Sequence, residues 1–403
     1  MNTEPAPQYS QWKLTAITLT LVFGSVIVNS ALDMHAPVLP DIRHFFNVDE
    51  SLTQWTVSSY FLGTALAAMA YGPFADCYGR KKMLLIGMFL FLVSSFFCTV
   101  AGNIEELILA RFFQGVGGVS SSVIWLTIIK DLYKGKKSVQ ILNIFSITIS
   151  LSLSAAPIIG SLIASYFAWR GVFGLLTIMA CIQLFMVHIV IPETLLPNRK
   201  RALSVIDSAQ NYFQMFTNKS FITFGLMNGL LHGLCVAQIP LLSIYLQEVL
   251  DLSRDSYAMY QLVPTLSYAF AAWWARKFVE KETLSRTLKI GISILILFIL
   301  SMIGITLFCP YSAVAIVIAS CIYNIGSPFV GTVVVTKAME IFPNIGGTSS
   351  SALTSMRQLT ASFITFMAGV VYCETYLSMT TVLSAFSIIL ILAYYSNRNE
   401  ITD

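Results

Sequence analysis

The chain has 403 residues, of which 56% are hydrophobic and only 11% charged, and its formal net charge is +4. A soluble protein carries about a quarter charged residues, so this composition excludes a soluble globular domain and defines an integral membrane protein. The cysteines (Cys77, Cys98, Cys181, Cys235, Cys309, Cys321 and Cys373) are odd in number and scattered. None forms a Cys-x-x-Cys pair, which speaks against a disulfide framework or a metal site. No cofactor is expected.

The start, Met1 to Lys13, is polar and holds two prolines, with no cleavable signal peptide. Apolar runs follow near 13–40, 52–75, 83–102, 104–130, 138–164 and 168–190. A polar stretch from Pro192 to Lys219 separates them from further runs near 220–249, 254–275, 287–309, 311–335, 348–370 and 375–396. A helical span needs about 20 apolar residues, whereas a barrel strand is shorter and alternates. These runs therefore predict an all-α membrane protein of twelve transmembrane helices. The break in the middle predicts two pseudo-symmetric six-helix bundles around a central cavity, residues 1–191 and 220–403, joined by a cytoplasmic linker over 192–219.

Orientation follows from the loops. With the N-terminus, the loop at 76–82 and every second loop thereafter in the cytoplasm, most of the 24 Lys and Arg residues face inward, Arg80, Lys81, Lys82, Lys134, Arg199, Lys200 and Arg201 among them. Cytoplasmic loops are enriched in Lys and Arg. The outer loops carry acids instead: Asp41, Asp49, Glu50, Glu248, Asp251 and Asp255. The expectation is a multi-pass protein of a cell (inner) membrane with both termini in the cytoplasm.

Ionisable side chains inside a span cost on the order of 2.5–3.5 kcal/mol on insertion scales and default to function. Asp33 lies about 12 Å inward from Asp41, and Arg111 about 12 Å inward from Asn103, at about 1.5 Å per residue. Similar depth predicts that the two approach each other in the first bundle. A carboxylate that alternates between an Arg and a dry cavity loads and releases a proton; the other reading is a static structural pair. His35, two residues on, either relays protons or is a wetted surface group. Arg357 lies about 15 Å into the eleventh span, flanked by Gln358, with no acidic partner placed at its depth. It either meets an anionic part of a substrate or bonds to neighbouring polar groups. Asn29, Gln114, Asn228, His232, Gln238, Gln261 and Asn324 are further candidates to line the cavity.

Several stretches carry a family resemblance. Gly72-Pro-Phe-Ala75-Asp76-Cys-Tyr-Gly79-Arg80-Lys81 resembles the loop signature Gly-x-Leu-Ala-Asp-x-x-Gly-Arg-Lys/Arg of the major facilitator superfamily, with Phe74 at the Leu position. Asp33-Met-His-Ala-Pro37-Val-Leu-Pro40-Asp-Ile42 is similar to the first-span pattern of Bcr/CflA-like multidrug exporters, within the twelve-span drug/proton antiporter branch. Arg111-Phe-Phe-Gln114-Gly115-Val-Gly117 resembles the Arg-x-x-Gln-Gly-x-Gly motif of that superfamily. Ala156-Pro157-Ile-Ile-Gly160-Ser161 keeps the Pro and one Gly of the exporter pattern Gly-Pro-x-x-Gly-Gly, with Ala156 and Ser161 replacing the outer glycines.

The resemblance implies a proton-coupled antiporter that exports small organic molecules by alternating access. It further implies an inner latch of Gly72, Asp76, Gly79, Arg80 and Lys81, with Asp76 docked on the start of the eleventh span at Gly346-Gly347-Thr348-Ser349. Pro157 and Gly160 would bend the fifth span where the halves hinge. A dedicated metabolite or metal-chelator exporter, or an importer, is the alternative on the same fold. A membrane enzyme or sensor has little support, since no metal-ligand cluster, nucleophile elbow or signalling domain is present. The expected partners are a small-molecule substrate, protons and the lipid bilayer, without nucleic acid, and the expected unit is a monomer.

Overall fold

The computed structural model describes residues 9–133, 136–195, 205–342 and 346–397. Its helices are α1 (Gln11–Asp33), α2 (Leu39–Phe46), α3 (Glu50–Tyr78), α4 (Arg80–Val100), α5 (Ile104–Leu132), α6 (Lys136–Val190) and α7 (Val205–Thr217). The second half holds α8 (Lys219–Ile244), α9 (Arg254–Lys281), α10 (Leu284–Phe308), α11 (Ala313–Ile341), α12 (Gly346–Val371) and α13 (Tyr376–Ser396). This layout fits the twelve expected crossings, with no strand among the described residues. The inner anchors Lys134 and 199–201 lie outside the described residues.

Among the described residues, eight segments are long and apolar enough to cross a membrane. Helices α3, α9 and α12 do not reach that apolarity. The reason is position. α3 packs along α12, and α6 against α9, so these helices form the seam between the halves and carry polar side chains there. Each half has its own apolar core, one built from residues between Ile17 and Ile191, the other chiefly from residues between Met215 and Tyr394. A small third cluster, including Tyr60, Phe61, Val236 and Ala361, lies between them.

Four departures from the predicted spans have local causes. The first span breaks after Asp33 into a 3-10 turn (Ala36–Val38) and α2. Pro37 has no N–H to give the carbonyl of Asp33, and Pro40 none for that of Ala36. Spans five and six run on as α6, whose non-helical residues are Phe167 and Ala168 (φ 53°). Pro157, where a bend of the fifth span is expected, lies inside α6, and the non-helical residues fall at the expected boundary between spans five and six. The linker contains an amphipathic helix, α7, which buries Met215 and donates the Tyr212 hydroxyl to the Met69 carbonyl at 3.0 Å. The seventh span ends in a π turn, Tyr245–Val249.

On the outer side, side chains of the two halves interlock. Arg43 on α2 pairs with Glu50 (3.0 Å), Glu374 (3.1 Å) and Glu248. Arg254 pairs with Asp41, and the Ser161 hydroxyl donates to Asp255. The outer acids and bases, read from sequence only as topology markers, tie first half to second.

In the first bundle the glycines of the fourth-span motif let backbones touch. A Cβ at Gly115 would strike the carbonyl oxygen of Tyr60 on α3, and one at Gly63 would strike that of Phe112 on α5. Such small-residue contacts replace the hydrophobic drive that helices lack in lipid. Gly115→Ala is expected to cost about 1–3 kcal/mol of overpacking, read as a lower thermal unfolding midpoint in detergent. Gly304→Ala is the control, since a Cβ there meets nothing within 4 Å. Equal midpoints would refute the close approach.

Candidate functional site

Arg111 is fully buried in α5. Its Nε donates to the Thr56 carbonyl (3.2 Å), and its Nη1 to the Ala31 carbonyl (3.3 Å) and Gln114 Oε1 (2.6 Å). The guanidinium lies over the Tyr60 ring, 4.5 Å from its centroid. Gln114 in turn donates to Ser95 Oγ at 2.8 Å. The Arg-x-x-Gln spacing puts both side chains on one helix face. Gln114 is thus a buried support for Arg111 and does not line a cavity. Arg111 Nη2 is left without a partner.

Asp33 is the last residue of α1 and 7% exposed. Among the described residues it makes no hydrogen bond or ion pair. The expected approach of Asp33 to Arg111 is only half realised: Arg111 holds the carbonyl of Ala31, two residues earlier. The break after Asp33 instead turns its carboxyl toward the seam, within electrostatic reach of Tyr60 in the first half and of Cys235 and Tyr257 in the second. His35 is fully buried, with both ring nitrogens unpartnered and its ring 5.4 Å from that of Phe173. It is therefore not a wetted surface group. Gly160 belongs to the same construction. A Cβ there would strike the Met34 backbone, so α6 packs directly on the broken end of α1.

The break frees carbonyls that lipid cannot satisfy. The second half supplies the donors. Ser243 Oγ donates to the Ala36 carbonyl, and Gln247 Nε2 to that of Pro37 at 3.2 Å. Sequence reading missed Ser243, Gln247, Ser161 and Arg43. The only signal for the first pair was the two prolines, which announce carbonyls in need of a donor.

Across the seam, His232 and Cys235 on α8, Tyr268 on α9, Asn324 on α11, and Arg357 and Gln358 on α12 converge. Cys235 Sγ donates to Asn324 Oδ1 at 3.7 Å, and Asn324 Nδ2 to the Ser320 carbonyl. Gln358 faces His232, and Arg357 lies within electrostatic reach of both His232 and Tyr268. Phe61 of the first half meets the His232 ring edge-on at 6.0 Å. Of the other cavity candidates, Asn29 bonds the Ser25 carbonyl and Gln238 that of Leu234, each within its own helix. Asn228 and Gln261 are half-buried.

The loop signature is held by its own half. Gly79 has φ 103°, open to glycine, and a Cβ there would strike Glu193. Arg80 pairs with Asp131, donates to the Thr127 carbonyl, and lies 3.8 Å from Asp76. Lys81 Nζ donates to the His188 carbonyl at 2.7 Å. Asp76 does not dock on the start of α12 among the described residues. Gly72 does lie against that helix, at Ser351.

A broken, acid-tipped first span, an Arg-Gln-Gly helix crossing and two bundles meeting at a polar seam define a secondary-transporter architecture. The family model of the Major Facilitator Superfamily matches residues 21–365. The chain belongs to that superfamily and is a multi-pass membrane transporter. It is 24% identical over 395 residues to a bicyclomycin resistance protein homolog of Haemophilus influenzae, covering 97% of this chain and 98% of the relative. It is 23% identical over 393 residues to the multidrug resistance protein MdtL of Escherichia coli, covering 95% and 94%. Among solved structures, a D-xylose-proton symporter superposes with a TM-score of 0.77 at 16% identity, over 94% of this chain and 96% of that one.

The contact between α8 and the first-span break is testable. In a background without native cysteines, Ala36→Cys with Ser243→Cys is expected to cross-link under mild oxidation and to block transport until reduced. Failure to cross-link would remove the contact.

Proposed function

We propose that the protein is a proton-coupled exporter of small organic molecules, with Asp33 as the proton-carrying group. The observation that carries this reading is an acid buried at the break of the first span, facing both halves and bound to neither. An intramembrane carboxylate without a partner is costly to keep ionised, so its proton occupancy is tied to what faces it. The free Nη2 of Arg111 supports a second setting. A small turn of the α1 end, whose Ala31 carbonyl Arg111 already holds, brings the carboxylate to that donor. Proton release then accompanies rearrangement of the seam.

The outer face is held shut by contacts between the halves. Opening it exchanges the Arg43, Arg254 and Ser161 contacts, together with the Ser243 and Gln247 bonds, for water. The two halves, 1–191 and 220–403, rock as units about the linker at 192–219. His35, buried against Phe173 two residues from Asp33, helps keep the neighbourhood of the carboxylate dry. Asp76, Arg80 and Lys81 form the inner latch in the opposite stage, when the start of α12 approaches. The names of the resistance-protein relatives support outward transport. The basic inner loops support a location in a cell inner membrane with both termini cytoplasmic, as a monomer.

The test is uptake into inverted vesicles under an imposed pH gradient, using solutes of each charge. Wild type is expected to accumulate solute only with the gradient. Asp33→Asn is expected to retain exchange down a concentration gradient and to lose accumulation. Equal, gradient-independent movement in both proteins would overturn proton coupling.

A further inference from the structure

The two halves each bury one arginine in the membrane, and the two are treated differently. Arg111 makes three hydrogen bonds and lies on an aromatic ring. Arg357 makes none among the described residues. It lies eleven residues into α12, about 16 Å from the start of the helix at 1.5 Å per residue, close to the bilayer midplane. No carboxylate is paired with it: Asp33 acts on Cys235 and Tyr257, and the ion pairs of the second half lie at the membrane surfaces.

The polar groups around Arg357 cluster. Its own Nε is buried without a partner among the described residues, and His232 and Gln358 face each other beside it. They come from two helices, α8 and α12, with Tyr268 of α9 alongside. A native interior pairs nearly all such atoms. A bare guanidinium at this depth, with a His–Gln pair beside it, describes a site whose missing member is a ligand. Its wall on the first-half side is apolar: Phe61 stands edge-on to His232 and belongs to the small seam cluster with Tyr60, Val236 and Ala361.

We propose that Arg357, with His232 and Gln358 beside it, is an anion-binding subsite on the transport path, and that the substrate is an amphipathic monoanion whose apolar body lies toward Phe61. The inference rests on the transport reading above and adds the charge of the cargo. One guanidinium presents a planar fork that matches one carboxylate through two parallel N–H···O bonds. His232 Nε2 and the Gln358 amide extend this to an oxygen outside the fork. A neutral solute would leave the cation bare, and a cationic one would be repelled by it.

The experiment is binding to the purified full-length protein in detergent, with no gradient, followed by tryptophan fluorescence. The probes are 4-phenylbutyrate, its amide, and 4-phenylbutylamine, which share a body and differ in charge. The carboxylate is expected to bind, the amide and amine at least about tenfold more weakly, in line with a charge-assisted pair. Arg357→Gln is expected to remove that difference. If Arg357→Gln does not fold, Arg357→Lys decides: it keeps the charge without the fork, and several-fold weaker carboxylate binding is expected. Binding indifferent to probe charge, absence of carboxylate binding, or wild-type affinity in Arg357→Gln would overturn the proposal. The two readings fail separately. Arg357-dependent carboxylate binding without gradient-driven transport sinks proton coupling alone. Gradient-driven transport with charge-indifferent binding sinks the subsite alone.

Discussion

The break in the first span is the constraint on which the rest depends. A membrane interior offers no water to a free carbonyl, so a helix interrupted at depth must find donors in protein. Pro37 and Pro40 remove the N–H groups that would have continued the helix. The opposite half adds donors at the break, Ser243 to the Ala36 carbonyl that Pro40 cannot serve and Gln247 to the Pro37 carbonyl. The broken end is thereby a docking surface, and the acid at its tip, Asp33, is carried to the seam. Contact across the outer face and position of the acid are two consequences of one backbone feature.

On the proposed reading, the two membrane arginines divide the labour between frame and cargo. Arg111 is a frame element. Its bonds to the carbonyls of Thr56 and Ala31 fasten α5 to α3 and α1, and Gln114 with Ser95 fastens it to α4. Gly115 keeps the α3 and α5 backbones in contact beside it. Charge held this tightly is poor at exchanging partners, so the moving charge has to be elsewhere. Asp33 and Arg357 fit that role, because neither is tied down.

Much of the fold was legible because its signals are local. Runs of about 20 apolar residues give spans, the basic loops give sidedness, and the glycines of the fourth span give a close crossing. The site was legible only in part. Asp33, Arg111 and Arg357 stand out as charges in apolar text. The outer network does not, since Arg43 meets Glu248 across 205 positions and Glu374 across 331. Nothing local distinguishes those acids from Glu105 or Asp251. Gln114 looked like a cavity group because polarity alone cannot tell a substrate contact from a brace for a neighbouring arginine. Ser161 looked like an eroded glycine, yet its hydroxyl reaches Asp255 in the other half. Pro157 lies inside the fifth span, and the chain leaves the helix at Phe167 and Ala168, the boundary that the apolar runs marked. Proline inside a membrane helix is tolerated when neighbours satisfy the freed carbonyl.

The distribution of cohesion explains how such a molecule can move without unfolding. Within each half, dozens of apolar side chains interlock, and close-packed interiors deform little. Between the halves the apolar cluster is small, and beside the packing of α3 along α12 and of α6 against α9 the ties are single hydrogen bonds and partly exposed ion pairs. A net hydrogen bond is worth about 0.5–1.5 kcal/mol, because water replaces it when it breaks. Exposed ion pairs contribute about 0–1 kcal/mol. Arg43 also gathers three carboxylates around one cation, so the outer lock holds excess negative charge and is weaker than its contact list suggests. A few such ties set two stages of the seam only a few kcal/mol apart, and a proton on Asp33 or a ligand at the seam can then decide between them.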